Sequence, residues 1–208
     1  MQVGQFDRSE RAMTFAEMAL QMHVTAAYGS DGFAYFPGCY PLDWAERKGF
    51  TFAQNGGSSM LDLYGKKNVY CDWIGQLNQF FRQIEDDILR SNHLGVETFG
   101  TYKNGFLKEN VIDLPDSECI YCGELPEMLR YQSGLTVKAD NQVLVSTFER
   151  EGKRRYYIVN LSTIYETEVT LQIPNQDYQV TALDGTVTEW ENMHLRLGAG
   201  SGAYIIEK

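Results

Sequence analysis

The chain contains 208 residues, and 18 Lys and Arg stand against 28 Asp and Glu, which gives a formal net charge of −10. Hydrophobic residues make up 43% and charged residues 22%, a composition that is typical of globular domains and excludes an intrinsically disordered chain. An acidic chain lacks the basic surface that nucleic acids and anionic membranes require, so we expect neither as a partner. No signal-peptide pattern opens the sequence and no apolar run reaches about 18 residues, which predicts a cytoplasmic protein.

The first 36 residues predict a strand, a helix and a second strand. Residues 2–6 are a short strand candidate. Thr14 followed by Glu17 is a capping-box pattern, in which the two side chains bond backbone N–H groups at a helix start. The helix is predicted over 15–28, because apolar residues recur there at three- and four-residue spacing. The apolar run at 33–36 is typical of a strand buried on both faces, as in parallel sheets.

A second helix is predicted after a long irregular segment. Residues 59–64 predict a strand that ends in a turn, and Asn68 is a favourable N-cap residue. The helix runs from there to about residue 90, with its apolar side formed by Trp73, Ile74, Leu77, Phe80, Phe81, Ile84 and Ile88. We therefore expect residues 1–92 to form an α/β region with two βα units.

The remainder of the chain changes its hydrophobic period. Residues 93–130 have little periodicity and are predicted to form a connector, with a possible short strand at 119–122. From 131 to 208 the period is 2, which predicts an antiparallel β-sandwich. Its six predicted strands are 143–148, 156–161, 168–173, 178–183, 194–197 and 203–206.

The order of these elements resembles a known family group. The chain is similar to the C-terminal end of a TIM-barrel glycoside hydrolase, with its last two βα units and its appended β-sandwich. The stretches that carry the resemblance are 14–36, 60–68 followed by Leu77-Asn78, and the strand segments 156–161, 169–174, 178–185 and 195–206. The resemblance implies a partial barrel followed by an all-β sandwich, and a carbohydrate-associated function.

The resemblance also implies that most of the catalytic machinery is missing. A TIM barrel needs eight strands, and this chain has room for counterparts of the last two. In retaining members the nucleophile is a Glu at the end of strand seven, whereas this sequence has Gln5, Phe6 and Asp7 there. Asp7 is the nearest carboxylate, and it is a weak catalytic candidate beside the simpler interpretation of a solvated loop residue. The strand that carries the acid/base is absent, so we expect a protein that is inactive without a partner chain.

The candidate substrate-binding residues are Gln5, Tyr40, Asp43 and Trp44. The last three lie in the loop after the predicted strand at 33–36, and loops in this position form the active sites of barrels. An aromatic platform beside charged hydrogen-bonding groups suits sugar binding. The competing interpretation is that these side chains pack the loop against the second helix.

No metal or cofactor is expected. Cys119 and Cys122 supply half of a zinc pattern without a second pair at suitable spacing. The three histidines are isolated in the sequence, and no Gly-x-Ser-x-Gly motif accompanies them. The glycine-rich segment 198–202 lies between two predicted strands and lacks the helix that a phosphate loop requires.

Three functions remain open at this point. The first is a glycoside-hydrolase-related protein completed by a partner chain. The second is a non-catalytic carbohydrate-binding or protein-interaction module, and the third is an inactive remnant. Two parallel strands cannot cover their own faces and edges, so we also expect a homo-oligomer or a partner chain. Four copies would supply the eight strands of a barrel.

Overall fold

The computed structural model describes residues 13–35, 59–61, 65–100, 130–172, 178–181, 187–189 and 194–207. These residues form two helices, α1 (Phe15–Ala27) and α2 (Val69–Leu89). They also form nine strands: β1 (Asn92–Phe99), β2 (Thr136–Ala139), β3 (Val143–Arg150), β4 (Lys153–Asn160), β5 (Thr167–Gln172), β6 (Tyr178–Thr181), β7 (Val187–Glu189), β8 (His194–Leu197) and β9 (Gly202–Glu207). Neither described helix is long and apolar enough to cross a membrane.

The strands pair in two antiparallel sheets. The large sheet has six strands in the order β1-β3-β4-β9-β6-β7, and the small sheet has three in the order β2-β5-β8. The central β3–β4 hairpin pairs Arg150 with Lys153. Its turn consists of Glu151 and Gly152, with φ angles of 56° and 74°. Two consecutive residues with positive φ match the twist of the flanking strands, which fixes the register of this hairpin.

The helices, the large sheet and the small sheet form three layers with two apolar cores between them. The first core lies between the helices and the large sheet and includes Met18, Met22, Leu77, Phe80, Leu144, Phe148, Tyr157 and Tyr204. The second core lies between the two sheets and includes Val143, Val145, Ile158, Val169, Leu171, Leu197 and Ile205. Successive side chains of a strand point to opposite faces, so β3 and β4 contribute alternate residues to the two cores.

Both helices begin where the sequence predicts. The Thr14 hydroxyl oxygen accepts a hydrogen bond from the backbone N–H of Glu17 at 3.3 Å, and the Glu17 carboxylate accepts one from the Thr14 N–H at 2.8 Å. At α2, the side-chain oxygen of Asn68 accepts from the Tyr70 N–H at 2.8 Å. These bonds satisfy N–H groups that have no partner within a helix, and they confirm both predicted N-caps.

The predicted strands of the second half each overlap an observed strand, namely β3, β4, β5, β6, β8 and β9. Alternating apolar residues bounded by turn-forming residues are a local signal, and these strands carry it. The sequence pattern does not predict β1, β2 or β7.

The predicted fold class is wrong. The chain is mainly β, and no barrel-like βα unit occurs among the described residues. Residues 33–35 form no strand, and Leu61 in the predicted strand 59–64 makes an isolated bridge with Lys67. The strand candidate at 2–6 lies outside the described residues. An apolar helix stripe shows that a helix needs a partner but does not identify it, and here the partner is an antiparallel sheet from the second half of the chain.

Residues 93–99, expected to belong to a connector, form most of the edge strand β1. A register shift between His93 and Gly95 interrupts its alternation, which explains why a period of 2 was not apparent. Residues 101–129 of the predicted connector lie outside the described part. Self-association was argued from two uncovered parallel strands, and the named strands of the described part pair antiparallel. The described strands therefore leave no uncovered parallel pair that requires a partner, and self-association stays a prediction.

Candidate functional site

The site residues predicted from the sequence are Gln5, Asp7, Tyr40, Asp43 and Trp44, and all of them lie outside the described residues. Their suggested roles stay predictions. The Cys119–Cys122 pair also lies outside. The chemistry discussed below therefore comes from polar clusters that the folded helices and sheets bring together.

A buried histidine–tyrosine pair joins α1 to the large sheet. Nδ1 of His23 lies 2.6 Å from the hydroxyl oxygen of Tyr157, and both side chains are fully buried. Burial lowers the pKa of His23 from 6.5 to about 3 and raises the pKa of Tyr157 well above its ordinary value. The rings of Phe80 and Phe81 lie 5.1 and 5.6 Å from the imidazole ring and pack against it. The imidazole is enclosed by aromatic rings, so the pair holds the first core together and does not face a ligand.

A second cluster ties the C-terminal turn of α2 to the β3–β4 hairpin. The guanidinium of Arg155 donates two hydrogen bonds to the Asp87 carboxylate, from Nε at 2.9 Å and from Nη2 at 3.1 Å. The same carboxylate accepts a hydrogen bond from Arg150 at 3.2 Å and another from the Tyr204 hydroxyl at 2.9 Å. Nη1 of Arg155 donates to the carbonyl oxygens of Arg150 and Lys153, which holds the turn of the hairpin. We call Asp87, Arg150, Arg155 and Tyr204 the aspartate clamp.

The aspartate clamp is built for stability. Burial by itself raises the pKa of the Asp87 carboxyl, but hydrogen bonds from Arg155 and Tyr204 and the charge of Arg150 outweigh it, so the pKa lies below its ordinary value. A carboxylate that already accepts bonds from three side chains is not available to take a proton from a substrate. The cluster therefore fixes α2 on the sheet.

The fold also brings a serine to a histidine, which the sequence did not indicate. Oγ of Ser146 lies 3.1 Å from Nε2 of His93. Burial lowers the pKa of His93, and a hydrogen bond to the backbone of Ala27 partly offsets that effect. Ser146 is fully buried on β3, however, where no substrate carbonyl can approach its oxygen. The arrangement supports the bulge in β1 and is not a hydrolytic dyad.

The accessible cluster lies on the face of the large sheet that carries the second core. Nη1 of Arg154 on β4 lies 3.1 Å from Oε2 of Glu149, its partner across the β3–β4 register. The backbone N–H of Arg154 donates to the Glu207 carboxylate on β9 at 2.8 Å. The guanidinium carbon of Arg154 lies 5.8 Å from the centre of the Tyr131 ring, within the range of a cation–π contact. We call Tyr131, Glu149, Arg154, Tyr156 and Glu207 the arginine cluster.

Exposure separates the arginine cluster from the aspartate clamp. The side chains of Arg154 and Glu149 are 36% and 37% exposed, whereas those of Arg155 and Asp87 are 7% and 18% exposed. Tyr156 lies two residues after Arg154 on the same face of β4, and its side chain is buried. The pKa of Tyr156 lies above its ordinary value, because burial and the charge of Glu207 raise it more than the charge of Arg154 lowers it. The cluster thus presents an aromatic ring, a guanidinium and two carboxylates on a rigid sheet surface.

Sequence reasoning missed the arginine cluster because its members come from four separate places in the chain. The available signal was local: Lys153-Arg-Arg-Tyr-Tyr157 puts three charged residues at the start of an otherwise apolar strand. Alternation along that strand assigns Arg154 and Arg155 to opposite faces, but it does not show which carboxylates face them. Among the described residues, no group of three or more His, Cys, Asp or Glu side chains could hold a metal ion.

Comparison with known proteins identifies no relative of this chain. No family model matches it, and neither a curated protein nor a solved structure does.

Proposed function

We propose that the chain is a non-catalytic carbohydrate-binding module of the kind that accompanies glycoside hydrolases, and that the arginine cluster is its binding surface. The observation that carries this proposal is the Tyr131 ring, which lies 5.8 Å from the guanidinium carbon of Arg154, a side chain that is 36% exposed and that contacts the Glu149 carboxylate.

The residue types in the arginine cluster suit a sugar. The apolar face of a pyranose ring packs against an aromatic ring, which Tyr131 offers. The equatorial hydroxyl groups need hydrogen-bond donors and acceptors, and the Arg154 guanidinium and the Glu149 and Glu207 carboxylates supply both. Because three paired strands carry these charged groups, little conformational entropy would be lost on binding.

The same geometry favours binding over hydrolysis. Two carboxylates that cleave a glycosidic bond must flank the bond, with the sugar between them. In the arginine cluster, β4 lies between β3 and β9, so Arg154 stands between Glu149 and Glu207 and contacts both. A sugar would lie over these groups and not between the two carboxylates.

The proposal is tested by binding of the purified chain to a panel of immobilised polysaccharides, with reducing-sugar release measured in parallel. We expect at least one glycan to bind without being cleaved. Tyr131→Ala removes the stacking ring and should weaken binding at least tenfold, whereas Tyr131→Phe should retain it. Tyr165→Ala is the matched control, because Tyr165 is 46% exposed on the β4–β5 loop, outside the cluster.

Thermal unfolding of each variant shows whether a loss of binding reflects loss of the fold. Failure to bind any glycan in the panel contradicts the proposed function. Equal binding by Tyr131→Ala and the unchanged chain contradicts the assigned surface, and release of reducing sugar contradicts the non-catalytic role.

A further inference from the structure

We propose that α1 is an acid-sensitive latch: protonation of His23 releases this helix from the large sheet while α2 stays in place. The inference does not depend on the proposed carbohydrate function. It rests on the different ways in which the two helices are attached to the same sheet. His23 attaches α1, and the aspartate clamp attaches α2.

His23 occupies a closed position between three elements. Its Nδ1 contacts the Tyr157 hydroxyl on β4, and the rings of Phe80 and Phe81 on α2 pack against the imidazole. On β9, Gly202 passes so close that a Cβ added there would lie 2.8 Å from Nδ1. The backbone of β9 therefore approaches the imidazole closely, and the ring has little room to change its position.

A protonated imidazole cannot be satisfied in this position. Both ring nitrogens carry a proton in the cation, and both need acceptors. The Tyr157 oxygen can accept from Nδ1, but Nε2 has no hydrogen-bond partner among the described residues. A buried charge without a partner is strongly unfavourable, and the group escapes this cost by moving into water.

The groups that face His23 supply no compensating negative charge. The contact from β4 is Tyr157, whose hydroxyl stays protonated because its pKa is raised well above the ordinary value. The contacts from α2 are phenylalanines, and the contact from β9 is a glycine. Tyr204, which packs on Tyr157 at 5.8 Å between ring centres, has a raised pKa as well. Acid therefore acts on His23 before any of its neighbours.

The attachment of α2 withstands the same acid. Asp87 keeps its charge below the ordinary carboxyl range because of the hydrogen bonds it accepts in the aspartate clamp. Between pH 7 and pH 5 the Asp87 carboxylate stays charged, so its contacts with Arg155, Arg150 and Tyr204 remain intact. The two helices therefore separate in acid in a defined order, with α1 first.

Hydrogen exchange read by mass spectrometry on the full chain tests the latch, after correction for the intrinsic effect of pH on exchange. With a His23 pKa of 6.5 when released and about 3 when docked, the opening constant of α1 should rise about 25-fold from pH 7 to pH 5. Amides of α2 should show no comparable rise. A pH-independent opening of α1, or an equal response of both helices, would overturn the proposal.

A variant pair isolates the responsible histidine. His23→Gln does not titrate and keeps a hydrogen-bonding group for Tyr157, so its α1 opening should not change between pH 7 and pH 5. His194→Gln is the matched control, because His194 is exposed on β8 of the small sheet, away from α1, and this variant should keep the full 25-fold response. If His23→Gln does not fold, the dependence of the α1 opening constant on pH in the unchanged chain tests whether one proton is taken up on opening. One proton taken up on opening requires about a tenfold rise per pH unit between pH 6 and pH 4.

Discussion

Arg154 and Arg155 are neighbours in β4, yet they contact carboxylates on opposite faces of the large sheet. Arg155 bonds Asp87 under α2, and Arg154 contacts Glu149 on the face that carries the second core. The first contact is closed and the second is half exposed, although the two side chains start from adjacent residues. One strand thus supplies both the main polar anchor of the helix layer and the centre of the proposed binding surface.

The buried contact between Arg155 and Asp87 should make a large contribution to the free energy of unfolding. Asp87→Asn removes the charge that Arg155 and Arg150 face, and a buried ion pair that loses one partner typically costs about 3 kcal/mol or more. We expect a fall of about 3 kcal/mol in the free energy of unfolding, measured by urea denaturation at pH 7. Asp86→Asn is the control, because Asp86 is 69% exposed in its pair with Arg90 and should change the free energy by less than about 0.5 kcal/mol. Equal effects of the two variants would show that the clamp is not a main source of stability.

The contribution of Asp87 should also depend on pH. Its pKa is 3.8 in an unfolded chain and lower in the folded protein, so the charged form is favoured by folding. That stabilisation is complete well above pH 3.8 and is lost as the pH falls through the folded value. The difference in unfolding free energy between the unchanged chain and Asp87→Asn should therefore be constant from pH 7 to pH 5 and should narrow below pH 4. A difference that narrows already at pH 6 would assign the effect to another group.

Two glycine-to-alanine substitutions should change the free energy of unfolding in opposite directions. A Cβ at position 202 would lie 2.8 Å from His23 Nδ1 and 3.0 Å from the carbonyl oxygen of Ile158, both closer than ordinary contacts. Gly202→Ala should lower the free energy of unfolding by about 2 kcal/mol, because an overfilled core forces a displacement. Gly75 is exposed within α2 and a Cβ there meets nothing within 4 Å, so Gly75→Ala should raise it by about 0.5–1 kcal/mol. Urea denaturation of both variants checks the pair, and destabilisation by Gly75→Ala would contradict the environment assigned to α2.

The buried side chain of Asn160 should contribute strongly to the free energy of unfolding. Its amide nitrogen donates to the backbone oxygens of Tyr165 at 2.7 Å and Gly198 at 3.0 Å, and its oxygen accepts from the Ser162 N–H at 3.0 Å. Asn160→Ala removes the donor to the Tyr165 and Gly198 oxygens and the acceptor of the Ser162 N–H, and we expect a loss of about 2 kcal/mol in unfolding free energy. Asn160→Asp should be no better, since a carboxylate cannot donate to carbonyl oxygens. An Asp variant as stable as the unchanged chain would contradict this hydrogen-bond assignment.

The sequence by itself determined the local elements of this protein. Thr14 with Glu17, and Asn68 before Tyr70, fixed the two helix starts, because a cap depends on residues within one turn. Alternation fixed most strands of the second half for the same reason, and the bulge between His93 and Gly95 hid β1 because it breaks that alternation.

Only the tertiary structure decided which sheet packs against the two helices and which distant side chains meet. The apolar stripes of α1 and α2 would pack equally well on a parallel barrel or on an antiparallel sheet, and the resemblance to glycoside hydrolases led us to predict the barrel. The arginine cluster and the aspartate clamp also arise from long-range strand register, which sets Glu149 beside Arg154 and places Asp87 of α2 over Arg155. Pairings between distant segments depend on the free energy of the whole fold, and no local pattern in the sequence encodes them.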